Sequence, residues 1–185
     1  MRVLVGCEYS GTVRDAFIAQ GHNAWSCDLL ESESPGPHFQ ADIFEAIGCS
    51  NSWDLIILHP PCTHMAVCGN RYWSGTKERE AAIAWTRKLW QAAVQNADRV
   101  ALENPVSVLS SQWQKPTQYI QPWQFGHGET KKTGLWLHNL PPLEPTNIVE
   151  GREQRIWKMS PSPDRGKERS RFYPGIAAAM AQQWS

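Results

Sequence analysis

Cys62 and Glu103 are the two side chains on which chemistry would turn. Cys62 follows Pro60 and Pro61 at the end of an aliphatic run, Asp54-Leu55-Ile56-Ile57-Leu58-His59. Glu103 opens Glu103-Asn104-Pro105 at the end of a second apolar run, Arg99 to Leu102. A thiolate beside a carboxylic acid is a nucleophile with a proton donor. With a pyrimidine between them, the thiolate attacks C6 only if the charge building on the ring is relieved at N3. A carboxylic acid donating to N3 relieves it, and C5 becomes a carbon nucleophile able to take a methyl group. Each residue has a plainer reading as well. Cys62 could be a buried loop cysteine, since Cys packs as a small hydrophobe. Glu103 could be the partner of a nearby cation such as Arg99 or Lys115.

The elements around these residues decide whether they meet. The run Asp54 to Leu58 suits a buried strand of a parallel sheet, and two prolines cannot continue a ladder. Residues Thr76 to Ala97 carry the strongest helical pattern, with Ala82, Trp85, Leu89, Ala93 and Ala97 in repeat. A right-handed crossover through that helix makes the two strands neighbours or nearly so. Cys62 and Glu103 then face one cleft at the carboxyl edge, where ligands of open α/β sheets bind. The remaining chain alternates in the same way. Strands are expected at Arg2 to Gly6, Asn23 to Leu30 (closing on Asp28), Phe39 to Asp42 and Gly134 to Leu140. Helices are expected at Thr12 to Gln20, ended by Gly21, near Ile43 to Ile47, and at Pro174 to Trp184 with proline in the first turn. Ser107 to Trp123 reads as irregular with one helical turn, and Ile148 to Tyr173 as a basic loop. This order predicts an α/β fold with a mostly parallel central sheet flanked by helices.

Composition narrows the field. A chain of 185 residues is expected to form one domain with a real core. Eighteen basic and eighteen acidic residues cancel, which argues against a generic polyanion binder. Five cysteines without CxxC spacing argue against a disulfide scaffold and a four-cysteine zinc site; no metal is expected, and a reducing cytoplasm fits. The opening Met1 to Gly6 reads as a strand and not a signal peptide, and no run approaches membrane-spanning length. Ten tryptophans supply core and rim packing, or faces on which bases stack.

Acids stand at three successive strand ends: Glu8, Asp28 and Asp42. In nucleotide-binding sheets an acid after the second strand accepts from ribose hydroxyls; the alternative is that such acids cap helices. The first loop, with Gly6, Ser10 and Gly11, permits close backbone approach to a ligand but is not GxGxxG. Arg152, Arg155, Lys158, Arg165, Lys167, Arg169 and Arg171, interleaved with Trp157 and Phe172, suit phosphate contact and base stacking. Against them stand Glu153, Asp164 and Glu168, which would make a salt-bridged loop instead.

In this order the motifs resemble the cytosine-C5 DNA methyltransferase family, and the resemblance runs nearly the length of the chain. Pro60-Pro61-Cys62 is similar to the family's nucleophile motif, and Glu103-Asn104 to the motif that polarises cytosine at N3. Pro174-Gly175-Ile176 is similar to its closing motif. Small methylase-like proteins of phages and prophages look especially similar in length and in the Cys7-Glu8 loop. The resemblance implies a Rossmann-like SAM-dependent methyltransferase fold and S-adenosyl-L-methionine as cofactor. It implies cofactor contacts from Gly6, Cys7, Glu8, Ser10, Gly11, Asp28, Leu29, Asp42, Ile43 and Pro60. It implies catalysis by Cys62 and Glu103 with Asn104 orienting the loop, and substrate contacts from Pro61, Thr63, Lys131, Thr133, Arg155, Arg169 and Arg171. The implied partner is DNA or a cytidine nucleotide, in the cytoplasm of a bacterium or phage-infected host. Three features depart from the family. Only about residues 141 to 172 stand where a target-recognition domain is inserted, so little sequence choice is implied. Lys131 and Thr133 stand where two arginines are usual, and Lys is not a bidentate substitute for Arg. The first loop reads Cys7-Glu8-Tyr9-Ser10-Gly11 in place of a glycine-rich pattern.

Overall fold

The computed structural model describes residues 1–49, 53–162 and 165–185. Asp164, one of the acids counted against the basic stretch, lies outside the described residues. The chain begins with β1 (Arg2–Gly6), α1 (Thr12–Ala19), β2 (Asn23–Asp28), β3 (His38–Gln40), α2 (Ile43–Gly48) and β4 (Trp53–Leu58). It continues with α3 (Asn70–Trp73), α4 (Lys77–Asn96), β5 (Ala97–Pro105), α5 (Leu109–Gln112), β6 (Gln118–Ile120) and β7 (Thr133–His138). It ends with α6 (Arg155–Lys158), α7 (Arg165–Ser170) and α8 (Pro174–Gln183). The strands form one sheet in the order β3-β2-β1-β4-β5-β7-β6. Neighbours are parallel from β3 to β5, whereas β7 runs antiparallel to both β5 and β6. This is the Rossmann-like, mostly parallel α/β architecture expected.

Helices cover both faces, which explains the unbroken apolar strands. Successive residues of β1 and β4 serve opposite layers. Val3, Val5, Leu55 and Ile57 pack with α1 and α8 through Val13, Phe17, Ile176 and Met180. Leu4, Ile56 and Leu58 pack with α2 and α4 through Ile47, Ile83 and Leu89. Thr76 caps α4 by accepting from Arg79 N at 3.3 Å. Gly175 of α8 lies so close to the Phe125 carbonyl that any Cβ would clash, and its amide donates to His127 Nε2 at 3.0 Å.

Several expectations are corrected. Glu103-Asn104-Pro105 does not terminate a strand; it is the last part of β5, paired with Leu135, Gly134 and Thr133 of β7. Pro105 is tolerated because it is the final strand residue. β3 starts at His38, earlier than expected, and Asp42 is not in it but caps α2. β6 stands where irregular chain is expected, and the basic stretch, expected to be a loop, carries the helical turns α6 and α7.

Candidate active site

The chain runs outward from β1 to β3, then returns to β4 on the other side of β1. The carboxyl ends of β1 and β4 therefore flank a topological switch point, where a crevice opens. A cavity of about 120 Å³ lies there. Pro60, Pro61 and Cys62 line it together with Glu103, so the nucleophile and acid candidates do share one cavity. Cys7, Glu8 and Ser10 line it from the loop after β1; Lys131, Arg169 and Arg171 line it from the second half of the chain.

Cys62 is held by its neighbours on three sides. Asn104, fully buried, donates Nδ2–H to the Pro60 carbonyl at 3.0 Å and ties the loop to β5. The chain then turns back, Met65 N and Ala66 N donating to the Cys62 carbonyl at 3.0 and 2.8 Å. Arg79 of α4 fixes the far side, donating to His64 O at 2.7 Å and Asn70 Oδ1 at 2.8 Å. Burial pushes the Cys62 thiol above its ordinary 9.0, and Glu103 adds to the rise while Lys131 opposes it. The sulfur is thus a thiol near neutral pH in the absence of a ligand.

Glu103 pairs with neither Arg99 nor Lys115. Its Oε2 meets His59 Nδ1 at 3.2 Å, and both side chains are only 12% exposed. Arg99 instead donates to the Trp184 carbonyl at 2.8 Å. His59 also lines the cavity, its ring centroid 4.8 Å from that of Phe172 in an edge-type contact.

The first loop is built around Glu8, 4% exposed. Its Oε1 accepts from Val13 N at 2.7 Å and Ser10 Oγ at 3.2 Å, and its Oε2 from Arg14 N at 3.2 Å. The carboxyl therefore caps α1, where negative charge is favoured, behind Gly11 at φ 74°. Burial raises its pKa, against His59 and the α1 amides, which lower it. Cys7 adopts φ 60°, an uncommon conformation for a residue with a Cβ. Its thiol is pushed up by burial, with Asp28 and Asp42 adding to the rise.

Other candidates lie outside this cavity. Asp28 accepts from Leu30 N at 3.0 Å through Oδ1, beside Leu29, which is 71% exposed. Asp42 accepts from Phe44 N at 2.8 Å, as an N-cap does. Ile43 packs on Gly6, where a Cβ would stand 2.5 Å from Ile43 Cδ1. Thr63 is exposed and not on the lining. Thr133 is buried and donates its hydroxyl to Lys131 O at 3.1 Å. Arg155 is held by Glu129 at 2.9 Å.

The basic stretch forms a strap over the cavity. Lys131 Nζ donates to the carbonyls of Arg169 and Arg171 at 2.9 and 3.4 Å. Glu33, from the loop after β2, pairs with Lys167 and with Arg171 at 3.3 Å, and Tyr9 OH meets Ser170 Oγ at 3.4 Å. The hydrogen bond from Lys167 holds the Glu33 carboxyl below its usual range. Arg155, Lys167 and Arg171 are therefore paired, chiefly with Glu129 and Glu33 from outside the stretch; Glu168 is the one acid of the stretch itself seen in a pair among the described residues.

Sequence reasoning missed His59, Glu33 and Arg14. His59 carried one signal, a polar residue directly before the two prolines at a strand end. Arg14 is fully buried and donates to Ser26 Oγ, Ser32 Oγ and Ser34 O, each at 3.1 Å, so it folds the loop that carries Glu33.

No family model matches the chain, and no curated protein matches it. Among solved structures, a co-crystal structure of WbdD with the kinase inhibitor LY294002 is similar at TM-score 0.46 and 14% identity, covering 77% of this chain and 39% of that one. A 2.2 Å crystal structure of WbdD is similar at TM-score 0.45 and 12% identity, covering 77% and 38%. The chain spans about two fifths of the length of those structures. Neither likeness bears on the site. No helix among the described residues is long and apolar enough to cross a membrane, and no group of three or more His, Cys, Asp or Glu among them could hold a metal ion.

Proposed function

We propose that the protein is a SAM-dependent methyltransferase of the cytosine-C5 type, acting on cytosine in DNA with little sequence choice. The observation that carries this reading is the shared cavity of Cys62 and Glu103 at the carboxyl edge of β4 and β5. The Cys62 thiol gives up its proton to solvent, and the thiolate adds to C6 of the ring while the Glu103 carboxyl gives its proton to N3. C5 becomes electron-rich. Loss of the C5 proton to water after methylation lets the sulfur leave C6 as a thiolate and the N3 proton return to Glu103. Asn104 keeps the Pro60-Pro61-Cys62 loop at a fixed distance from β5. In a duplex, the cytosine must first be flipped out of the stack.

The residues beside this cavity fit a nucleoside-bearing cofactor. Asp28 Oδ2 has no hydrogen-bond partner among the described residues, and exposed Leu29 offers an apolar surface next to it. Asp28 would hold ribose hydroxyls, with Leu29, Asp42 and Ile43 about the adenine. S-adenosyl-L-methionine would supply the methyl group as an electrophile.

A second substrate is favoured by the strap. A cavity of about 120 Å³ is small beside typical ligand pockets of roughly 300–1,000 Å³, and Arg155 and Arg171 are occupied by acids. These features suit a free cytidine nucleotide or single-stranded nucleic acid. The test is transfer of label from S-adenosyl-L-methionine to duplex DNA, single-stranded DNA and dCMP, alongside Cys62→Ala. Label in duplex DNA that vanishes in the variant supports the first substrate, and label only in dCMP or single strands the second. No transfer to any of them refutes the reading and leaves a binding protein.

A further inference from the structure

The cavity mouth already holds an anion, and the protein supplies it. Lys131, Arg169 and Arg171 line the cavity from the second half of the chain, and Glu33 lines it from the loop after β2. The two Glu33 oxygens divide between two cations, Oε1 pairing with Lys167 and Oε2 accepting from Arg171 Nη1 at 3.3 Å. These pairs are open to water, with side-chain exposures of 28% for Glu33, 48% for Lys167 and 49% for Arg171. An ion pair in such a setting stabilises little and is readily exchanged. Arg169 is not neutralised at all. It meets no acid among the described residues, and its guanidinium donates only to Cys68 Sγ, at 3.6 Å. A guanidinium carries five N–H donors. Holding the strap shut requires the Glu33 pairs, but it does not require a bare guanidinium on the lining.

We infer that Glu33 is the resident occupant of a phosphate site at the cavity mouth, and that the phosphate of the incoming ligand displaces it from Lys167 and Arg171 and also takes Arg169; this deepens the nucleotide reading above and rests on it. The exchange needs only a side-chain rotation. The Glu33 backbone is fixed, its N–H donating to Tyr9 O at 2.8 Å. Arg171 stays aimed when Glu33 leaves, because its Nε is held separately by Glu168 Oε1 at 3.0 Å. Lys131 holds the backbone of the same segment through the Arg169 and Arg171 carbonyls, whichever anion is bound. Phosphate wins the exchange on charge and geometry. A terminal phosphate carries nearly two charges at neutral pH and three acceptor oxygens, and it takes bidentate bonds from arginine. A carboxylate offers one charge and two oxygens. A nucleoside without phosphate has nothing to trade for Glu33, so it meets the strap still shut.

The experiment is calorimetric titration of the full chain with inorganic phosphate, dCMP, deoxycytidine and a deoxycytidine dinucleotide without terminal phosphate. Removing the competing carboxylate should strengthen binding. In Glu33→Gln the affinity for inorganic phosphate and dCMP rises about fivefold, the size of one exposed ion pair, while that for deoxycytidine stays as in wild type. Glu33→Ser carries the test if Glu33→Gln does not melt cooperatively. Arg169→Ala weakens inorganic phosphate and dCMP by about tenfold or more and leaves deoxycytidine unchanged. A gain confined to phosphate and dCMP assigns a terminal phosphate; a gain shared by the dinucleotide assigns a phosphate within a strand, and either upholds the exchange. Phosphate affinity that is unchanged or lower in the Glu33 variants overturns it, as does a wild type that binds no phosphate, because a mere staple would loosen the site when cut. Methyl transfer is read separately. Phosphate binding that tightens in Glu33→Gln, in a protein that transfers no methyl to dCMP, sinks the methylation reading and upholds the phosphate site. Transfer to dCMP with unchanged phosphate affinity does the reverse.

Discussion

Removing the Asn104 side chain should loosen the Pro60-Pro61-Cys62 loop and little else. Asn104 is fully buried in β5, and its Nδ2–H donates to the Pro60 carbonyl at 3.0 Å. Asn104→Ala leaves that carbonyl without this donor, which costs about 1–3 kcal/mol. For a chain of this size each kcal/mol lowers Tm by about 2–4 °C, so a fall of roughly 2–12 °C is expected. Asn104→Asp should fall further, because a buried carboxylate would face the lone pairs of the carbonyl. The sulfur also loses its fixed distance from Glu103, and displacement of about 1 Å in a reacting group can cost on the order of 10² in rate. Scanning calorimetry gives the stability term. Alkylation of Cys62 by iodoacetamide, followed by mass spectrometry of its peptide, gives the loop, and it should quicken in both variants. An Asn104→Ala protein that melts within about 1 °C of wild type, with Cys62 alkylated no faster, would refute the tie between β5 and the loop.

Alkylation of Cys62 in the wild type should be slow at neutral pH and climb only above its ordinary 9.0, since burial and Glu103 both favour the thiol. Glu103→Gln removes the second of these and should move the climb to lower pH; a shift upward would show that Glu103 does not act on the sulfur. Glu33→Gln breaks the pairs to Lys167 and Arg171, so Cys62 should become easier to alkylate, and added salt should mimic the change in wild type because exposed pairs are screened; equal rates would mean that the strap does not close the cavity. Glu8 has its pKa raised above 4.5 in the fold. The folded state then binds the Glu8 proton more tightly, so the stability contributed is complete below 4.5 and lost as pH rises through the folded value. Subtracting the Tm-against-pH curve of Glu8→Gln from that of wild type should isolate this decline, and a difference that rises with pH would contradict it.

What could be read from the chain alone follows from local rules. Leu55 to Leu58 had to be an interior strand because an unbroken apolar run between turn signals is stable only with both faces covered. Residues 77–96 had to be a helix because their apolar positions recur at helical spacing and Thr76 can cap them. A right-handed crossover through that helix brought the Cys62 and Glu103 strand ends side by side, as β4 and β5 are. β6, three residues of mixed polarity, has no such signature; it exists because β7 offers it a ladder. Glu103 and Asn104 read as residues beyond a strand, but β7 pairs beside them and keeps them within β5.

The cavity's polar partners belong to the same second class. Cys62 and Glu103 announce themselves by residue type and by their place after apolar strands. Which side chain Glu103 would meet depended on residues 44 apart coming within 3.2 Å. Glu33 was one of two acids in its loop until buried Arg14, bound to serine and backbone oxygens of that loop, folded it toward Lys167 and Arg171. Periodicity and composition record what each segment does with its own neighbours, and they determined the sheet, its crossover and the strand ends that carry Cys62 and Glu103. Which side chain faces which across the cavity is a matter of distances between segments, and only the tertiary structure decided that His59 would stand against Glu103 and that the basic stretch would close over both.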